Sequence, residues 1–307
     1  MTRVAAVDLG TNTTRLLVAD VEDGAVATVE RRETITGMGE GVDGRRRLLP
    51  APIARVRNTL VRYRRTAESL GAKRLLAVGT SAVRDAENGE AFLGEIEWSY
   101  GFTTRLLAGD EEALLTFRGV ASGRVLEPGT LVVDIGGGST ELILGGPDSV
   151  DFHRSLDVGS VRLTERYGDD VDACASQVRA LLPDLAASRA IGVAGTVANL
   201  ASLDLGLAEH DAERTDHHRL PREGVAMQLD RLAALPLEER RRVPGLEPDR
   251  APVIVAGAVI LREVLDGYGL DAIEVSGHDL LDGAALAAAE LPEPEEGAAP
   301  PGAFTCC

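Results

Sequence analysis

The chain has 307 residues, with 32 Lys and Arg against 49 Asp and Glu, a formal net charge of −17, and 44% hydrophobic residues. So acidic a surface is a poor host for nucleic acid or for an anionic membrane leaflet, and 3% aromatic residues leave few platforms for base stacking. No apolar run nears the roughly 18 residues of a spanning helix and no signal pattern opens the chain, so a cytoplasmic protein without nucleic-acid or membrane partners is expected.

In chain order, the first signal is a hairpin. VAAVDL (4–9) reads as a buried strand and TRLLVAD (14–20) as its return, around a small polar turn. Residues 45–74 then hold ten basic side chains and one acid, Glu68. Within them the spacing of Ile53, Val56, Leu60, Tyr63, Ala67 and Leu70 predicts an amphipathic helix over 52–70. Its arginines spread around the polar face, which reads either as a solvated surface or as a track for a polyanion. LLAVGTSAV (75–83) reads as a strand. GDEEALLTFRGVAS (109–122) reads as a helix with Asp110 as N-cap and two Glu in its first turn. A second hairpin follows, TLVVDI (130–135) and ELILGG (141–146). Helices are predicted at 159–167, 172–187, 222–234 and 252–267, with strands near 190–194 and 271–276, an alternating α/β pattern. The tail from 290, rich in Pro, Gly, Glu and Ala, is expected to be disordered. Cys174 and the terminal Cys306 and Cys307 provide no disulfide framework.

The two hairpins are a repeat. Residues 7–20 (VDLGTNTTRLLVAD) align without a gap on 133–146 (VDIGGGSTELILGG), with Val7/Val133, Asp8/Asp134, Gly10/Gly136, Thr14/Thr140 and Leu16/Leu142 identical. A repeat at about half the chain length points to two similar domains, each lending a hairpin tip to a shared cleft. We place the first domain at 1–117, the second at 118–289, and the tail at 290–307. Loops of Gly, Thr and Ser turn backbone N–H groups on an anion, and Gly136, Gly137 and Gly138 remove the Cβ atoms that would block it. Asp8 and Asp134 end the strands. A carboxylate beside a phosphate cradle is repulsive unless a hard cation lies with it, which implies Mg²⁺ or another divalent ion.

Glu141 is either a further metal ligand or an exposed strand residue, and Arg15 holds the equivalent place in the first hairpin. Glu111 and Glu112 either stabilise a helix N-terminus or supply a general base that orients water for attack on phosphorus. Arg84 is a candidate phosphate contact, with an ion pair to Asp85 as the alternative. Gly195 and Thr196 resemble a further strand-to-helix phosphate loop. His217 and His218, beside Asp216, lack the companion spacing of a zinc site.

Taken together, VAAVDLGTNTTRLLVAD, VGTSAVRDAEN, GDEEA, VVDIGGGSTELILG, LDVGSVRLTERY, GVAGTVANLA and VSGHDLLDGAAL resemble, in this order, the exopolyphosphatase / guanosine pentaphosphate phosphohydrolase family. The resemblance runs to about residue 288 and is to the short, two-domain members. It implies an α/β protein of two ribonuclease-H-like (actin-like ATPase) domains around a central cleft. It further implies Mg²⁺-dependent release of the terminal phosphate of inorganic polyphosphate, or of the 5′ γ-phosphate of guanosine pentaphosphate, and it leaves a homodimer open. By the same resemblance Glu112 matches the catalytic base, and Asp134 and Glu141 the acidic pair that manages metal and water. Thr11, Asn12, Thr13 and Arg15 match the first phosphate loop, Arg84 the phosphate-contacting arginine, and Gly136, Gly137, Gly138, Ser139 and Thr140 the second loop. Two positions depart from the pattern: Gly37, where relatives usually carry Arg, and Gly277, where they normally carry Glu. The alternatives are a small ATP-dependent kinase of the same superfamily and a non-catalytic polyphosphate or alarmone sensor.

Overall fold

The structure, a computed structural model, describes residues 1–147 and 149–292. Most of the tail set apart from 290, with Cys306 and Cys307, lies outside the described residues. The first elements are β1 (Thr2–Leu9), β2 (Thr13–Glu22), β3 (Ala25–Ile35), α1 (Val42–Arg45), α2 (Pro50–Ser69), β4 (Arg74–Gly79), α3 (Ser81–Asp85), α4 (Gly89–Tyr100), β5 (Thr103–Leu106) and α5 (Gly109–Gly123). There follow β6 (Thr130–Ile135), β7 (Thr140–Gly145), β8 (Val150–Leu156), α6 (Ser160–Tyr167), α7 (Val171–Leu181), β9 (Arg189–Val193), α8 (Ala194–Asp204) and α9 (Ala212–Thr215). The chain ends with β10 (Arg219–Pro221), α10 (Arg222–Ala233), α11 (Leu237–Arg240), α12 (Ile254–Gly267), β11 (Ala272–Val275) and α13 (Leu280–Ala289).

These elements form two compact units: Met1–Arg124 together with the chain from His278 onward, and Val125–Gly277. The expected boundaries at 117/118 and 289 differ from these, because α5 stays whole in the first unit and α13 returns to it. In the first unit the sheet order is β3-β2-β1-β4-β5; β1, β2 and β3 are antiparallel neighbours, and β1, β4 and β5 are parallel. In the second, β8-β7-β6-β9-β11 repeats that order, with β10 added at the edge. The hairpin repeat is thus part of a repeated topology, that of two ribonuclease-H-like domains.

Strand alternation decides which residues share a face. On β1, Ala5, Val7 and Leu9 join the core under α2 and α4, whereas Val4 and Ala6 join a second core with Leu17 and Ala19 of β2, Leu115 of α5, and Leu281, Ala284 and Ala288 of α13. Asp8 continues the second series and Arg15 matches it on β2, so both lie on the α5 and α13 side of the sheet. Those two helices meet backbone to backbone. A Cβ at Gly119 would run into the Asp279 carbonyl, and one at Gly283 into that of Leu115. On β6, Leu131, Val133 and Ile135 enter the second unit's core, which leaves Asp134 on the opposite face.

Three expected elements differ in detail. The strand over 75–83 stops at Gly79, and Ser81–Asp85 is helical, so Arg84 sits in the last turn of α3. The helix over 172–187 stops at Leu181, because Leu182 precedes Pro183 and is barred from helical backbone. Ala108, not Asp110, occupies the N-cap of α5, and Asp110 lies within its first turn. Among the described residues no helix is long and apolar enough to cross a membrane.

Candidate active site

Both loops are built on one plan: their carbonyls are tied back, which leaves amide groups unused. In the first, the Gly10 N–H donates to the Thr13 carbonyl, the N–H groups of Thr36 and Gly37 to the Asn12 carbonyl (3.0 and 2.8 Å), and that of Gly39 to the Thr11 carbonyl at 2.7 Å. The N–H groups of Thr11 and Asn12 donate to no described acceptor. Gly39 is required here, since a Cβ would collide with Thr11. In the second loop the N-terminus of α6 takes the carbonyls. Ser160 N–H donates to Gly136, Val161 and Arg162 N–H to Gly137, and Arg162 Nε to Gly138 at 2.6 Å. The N–H groups of Gly137, Gly138 and Ser139 have no described acceptor. Gly159 lets α6 approach so closely, because a Cβ there would overlap Gly137.

In the first unit, Asp8 is 4% exposed. Its Oδ2 accepts from Arg15 Nε and Nη2 at 3.0 and 2.8 Å, while Oδ1 is buried without a hydrogen-bond partner. Asn12 Nδ2 and Thr13 Oγ1 are buried and unpartnered too. An orphaned carboxylate oxygen beside orphaned donors costs free energy in a folded protein unless a ligand completes it. That donor set fits a hard cation held with an anion. Burial, outweighing the attraction of Arg15, pushes the Asp8 carboxyl above its ordinary pKa.

Arg15 is committed to carboxylates. Besides Asp8 it bonds Asp279, the N-cap of α13, whose other oxygen accepts from the Leu281 N–H at 2.8 Å. Burial alone would raise the Asp279 carboxyl, but Arg15, Arg31 and the Leu281 N–H together hold it below the ordinary range. Arg31 also pairs with the fully buried Asp282, whose other carboxylate oxygen lies 3.0 Å from His278 Nδ1. This chain of alternating charges escapes a sequence reading, since Arg15 and Asp279 lie 264 residues apart.

The paired glutamates separate cleanly. Glu111 is exposed and its Oε2 accepts the Ala108 N–H at 2.9 Å, a capping role. Glu112 is 6% exposed and meets Arg84 Nη1 at 3.0 Å. Arg84 also donates to the Leu107 carbonyl at 2.7 Å and forms an ion pair with Glu112. Gly37 has φ +57, and a Cβ there would lie 3.2 Å from the Arg55 guanidinium, so any side chain, arginine included, would be strained at this backbone.

In the second unit, Asp134 and Glu141 are directly opposed across the β6–β7 pair and both are buried. The Ser155 hydroxyl donates to Glu141 at 2.6 Å. Glu141 is therefore a buried residue on the same face as Asp134, not an exposed strand residue. The Thr140 proton is given to the Val158 carbonyl at 2.7 Å. Gly195 and Thr196 open α8 directly after β9, a strand-to-helix turn in which Ala194 adopts φ 68. The Arg250 side chain covers Gly195, leaving no room for a Cβ. At Gly277 a Cβ would lie 3.3 Å from the Asp216 carboxylate, which already accepts the Gly277 N–H at 2.8 Å. Among the described residues no three His, Cys, Asp or Glu gather into a closed metal site.

The sequence model of the Ppx/GppA phosphatase family matches residues 17–290. The chain belongs to this family. It is 36% identical to exopolyphosphatase 2 of Mycobacterium tuberculosis, over 94% of this chain and 99% of that protein. It is 29% identical to the guanosine-5′-triphosphate,3′-diphosphate pyrophosphatase of Aeromonas hydrophila, over 91% of this chain and 58% of that one. Among solved structures, the exopolyphosphatase of Cytophaga hutchinsonii superposes with a TM-score of 0.84 at 25% identity, covering 92% of this chain and 96% of that one. The Ppx/GppA member from Aquifex aeolicus gives 0.78 at 28%, over 94% and 97%. The two α/β units of this chain are those of a Ppx/GppA protein.

Proposed function

We propose that the protein hydrolyses terminal phosphoanhydride bonds, releasing orthophosphate from inorganic polyphosphate or the 5′ γ-phosphate from guanosine pentaphosphate. The observation that carries this reading is the first loop of a Ppx/GppA chain. Its unused N–H groups, Asn12 Nδ2 and Thr13 Oγ1 are donors for phosphate oxygens, and Asp8 Oδ1 is an acceptor with nothing to accept. The unused amides of Gly137, Gly138 and Ser139 give the second unit an equivalent set.

Glu112 is the general base. Its carboxylate takes the proton of the attacking water and holds that oxygen in line with the breaking bond. Arg84 orients Glu112 and adds a cationic donor for the phosphoryl group. Asp8, and the Asp134–Glu141 pair of the second unit, are the carboxylates suited to Mg²⁺. When bound, the ion neutralises charge on the phosphoryl oxygens; Mg²⁺ ordinarily keeps one or two carboxylates with water and substrate oxygens. We place the reaction in the cytoplasm, for which a free, buried Cys174, with its thiol pushed up to about 11 by burial, is well suited.

The test is phosphate release in Mg²⁺ from long polyphosphate, tripolyphosphate, guanosine pentaphosphate and ATP, measured side by side. Release from a polyphosphate or from the pentaphosphate, without any acceptor, is the expected result. Transfer from ATP that requires an acceptor would make the protein a kinase. Binding without release would make it a sensor.

A further inference from the structure

Arg45, Arg46 and Arg47 end α1 and open its connection to α2. All three are exposed, and their guanidinium groups make no hydrogen bond or ion pair with any described residue. Three arginines of α2 differ. Arg55 donates to the Thr36 carbonyl and pairs with Glu40, Arg57 holds Glu95 through two bonds, and Arg64 pairs with Glu68. The basic segment therefore contains one stretch of three adjacent cations with no internal use.

The backbone of that stretch is fixed from both sides. Residues 36–39 are stitched to the first phosphate loop by the bonds from Thr36, Gly37 and Gly39 described above, and α1 follows within three residues. On the other side the Glu87 N–H donates to the Arg46 carbonyl at 2.8 Å, and the Asn88 side chain exchanges two bonds with the Leu48 backbone. Glu87 and Asn88 follow α3, which presents Arg84, after the single residue Ala86. Arg46 itself has φ 53, a left-handed conformation that a non-glycine residue keeps only where its surroundings enforce it.

We infer that Arg45, Arg46 and Arg47 form a second phosphate subsite on the first unit, taking a phosphate group of the substrate remote from the one cleaved; this rests on the phosphohydrolase reading above. Guanidinium forks match phosphate oxygens, and three of them on a tethered backbone can hold a polyanion that the chain's net charge of −17 would otherwise repel. The remote phosphate has two sources, an internal residue of a polyphosphate chain or the 3′-diphosphate of guanosine pentaphosphate.

The test compares wild type with the triple variant R45Q/R46Q/R47Q, and with R45Q/R47Q, which leaves the left-handed Arg46 in place; unchanged melting temperatures establish folding. Affinity is measured directly in EDTA for end-labelled long polyphosphate, tripolyphosphate, guanosine pentaphosphate and GTP. The triple variant should bind long polyphosphate about tenfold or more weakly, with the slope of log Kd on log salt reduced by about 2 for three lost cations, while tripolyphosphate changes less than about twofold. A loss confined to guanosine pentaphosphate, with GTP unaffected, assigns the subsite to the 3′-diphosphate instead. Equal losses on long and short chains with no pentaphosphate–GTP split, or no loss on any ligand, overturn the subsite. Wild-type binding without phosphate release would sink the hydrolase reading, yet the same affinity comparison would still decide the subsite. No wild-type binding to any of the four ligands would overturn both.

Discussion

Asp279 is buried, charged and obliged to cap a helix, and two arginines make these conditions compatible. Replacing it with Asn keeps the shape and the cap but leaves Arg15 and Arg31 short of a counter-charge. Breaking a buried pair from one side costs about 3–5 kcal/mol, and we expect a loss of unfolding free energy of that order, read as a lower urea midpoint. The sign with pH follows from its depressed native pKa. The stabilisation is fully present above the ordinary carboxylate range and is lost as pH falls through the lower native value. The gap between wild type and D279N in denaturant midpoints should therefore be constant near neutrality and close only in strong acid; a gap already closing between pH 7 and 5 would contradict the assignment. Glu112 makes the second prediction at this scale. E112Q preserves the contact with Arg84 and removes the proton acceptor, so kcat on the best substrate should fall by about 10²–10⁴ while its KM moves little. Near-normal turnover would refute the base. From their local pattern Glu111 and Glu112 share one reading because both fit a helix start, and only the family resemblance singles out Glu112. About 100° of helical turn separates them, and only the placement of α3 decides which one Arg84 meets.

At the scale of elements, α5 and α13 touch through Gly119 and Gly283, and that contact sets where Glu112 and Asp279 stand. A methyl group at either glycine meets a backbone carbonyl, not a side chain that can swing away. We expect G119A and G283A each to destabilise the protein by at least about 1–3 kcal/mol, read as a shift in urea midpoint, with activity falling because the base moves with its helix. G94A, on the exposed face of α4 where a Cβ meets nothing, is the control and should be neutral or slightly stabilising. These elements were unequally legible. The two hairpins stood out because each repeats the other and ends in the same Asp. α13 gave no periodic signal because it is buried on nearly every side, so LLDGAALAAA has no polar face to mark it. β3 failed for the opposite reason: it is an edge strand, largely exposed and charged, and lacks the alternation of a half-buried strand.

At the scale of the molecule, the first unit is made from both ends of the chain, and this could not be read locally. The alternating α/β pattern runs evenly to residue 289 and invites a single cut; what sends α13 back is the apolar second face of the first sheet, where Val4, Ala6, Leu17, Leu76 and Val78 require cover. Left exposed, that face would remove much of the unit's core, and small domains have little stability to spare. The second unit, by contrast, is continuous and encloses its own core. We therefore expect residues 125–277 expressed alone to unfold cooperatively, and 1–124 alone to be insoluble or molten. The decisive experiment reverses the order. Arg74 bonds the Ala289 carbonyl at the end of α13, and Arg74 pairs in register with Val4 near the start of β1. The end of the helix and the beginning of the strand are thus neighbours, and a flexible linker of about six residues spans such a gap. A permuted chain running 278–292, linker, 1–124 should fold with a sharp urea transition and near-native circular dichroism. It should also retain the Arg15–Asp279 pair, so that D279N destabilises it as it does the whole protein. If 1–124 folds equally well without the helix, α13 is a passenger, and the charge chain from Asp8 to Asp282 does not organise the first phosphate loop.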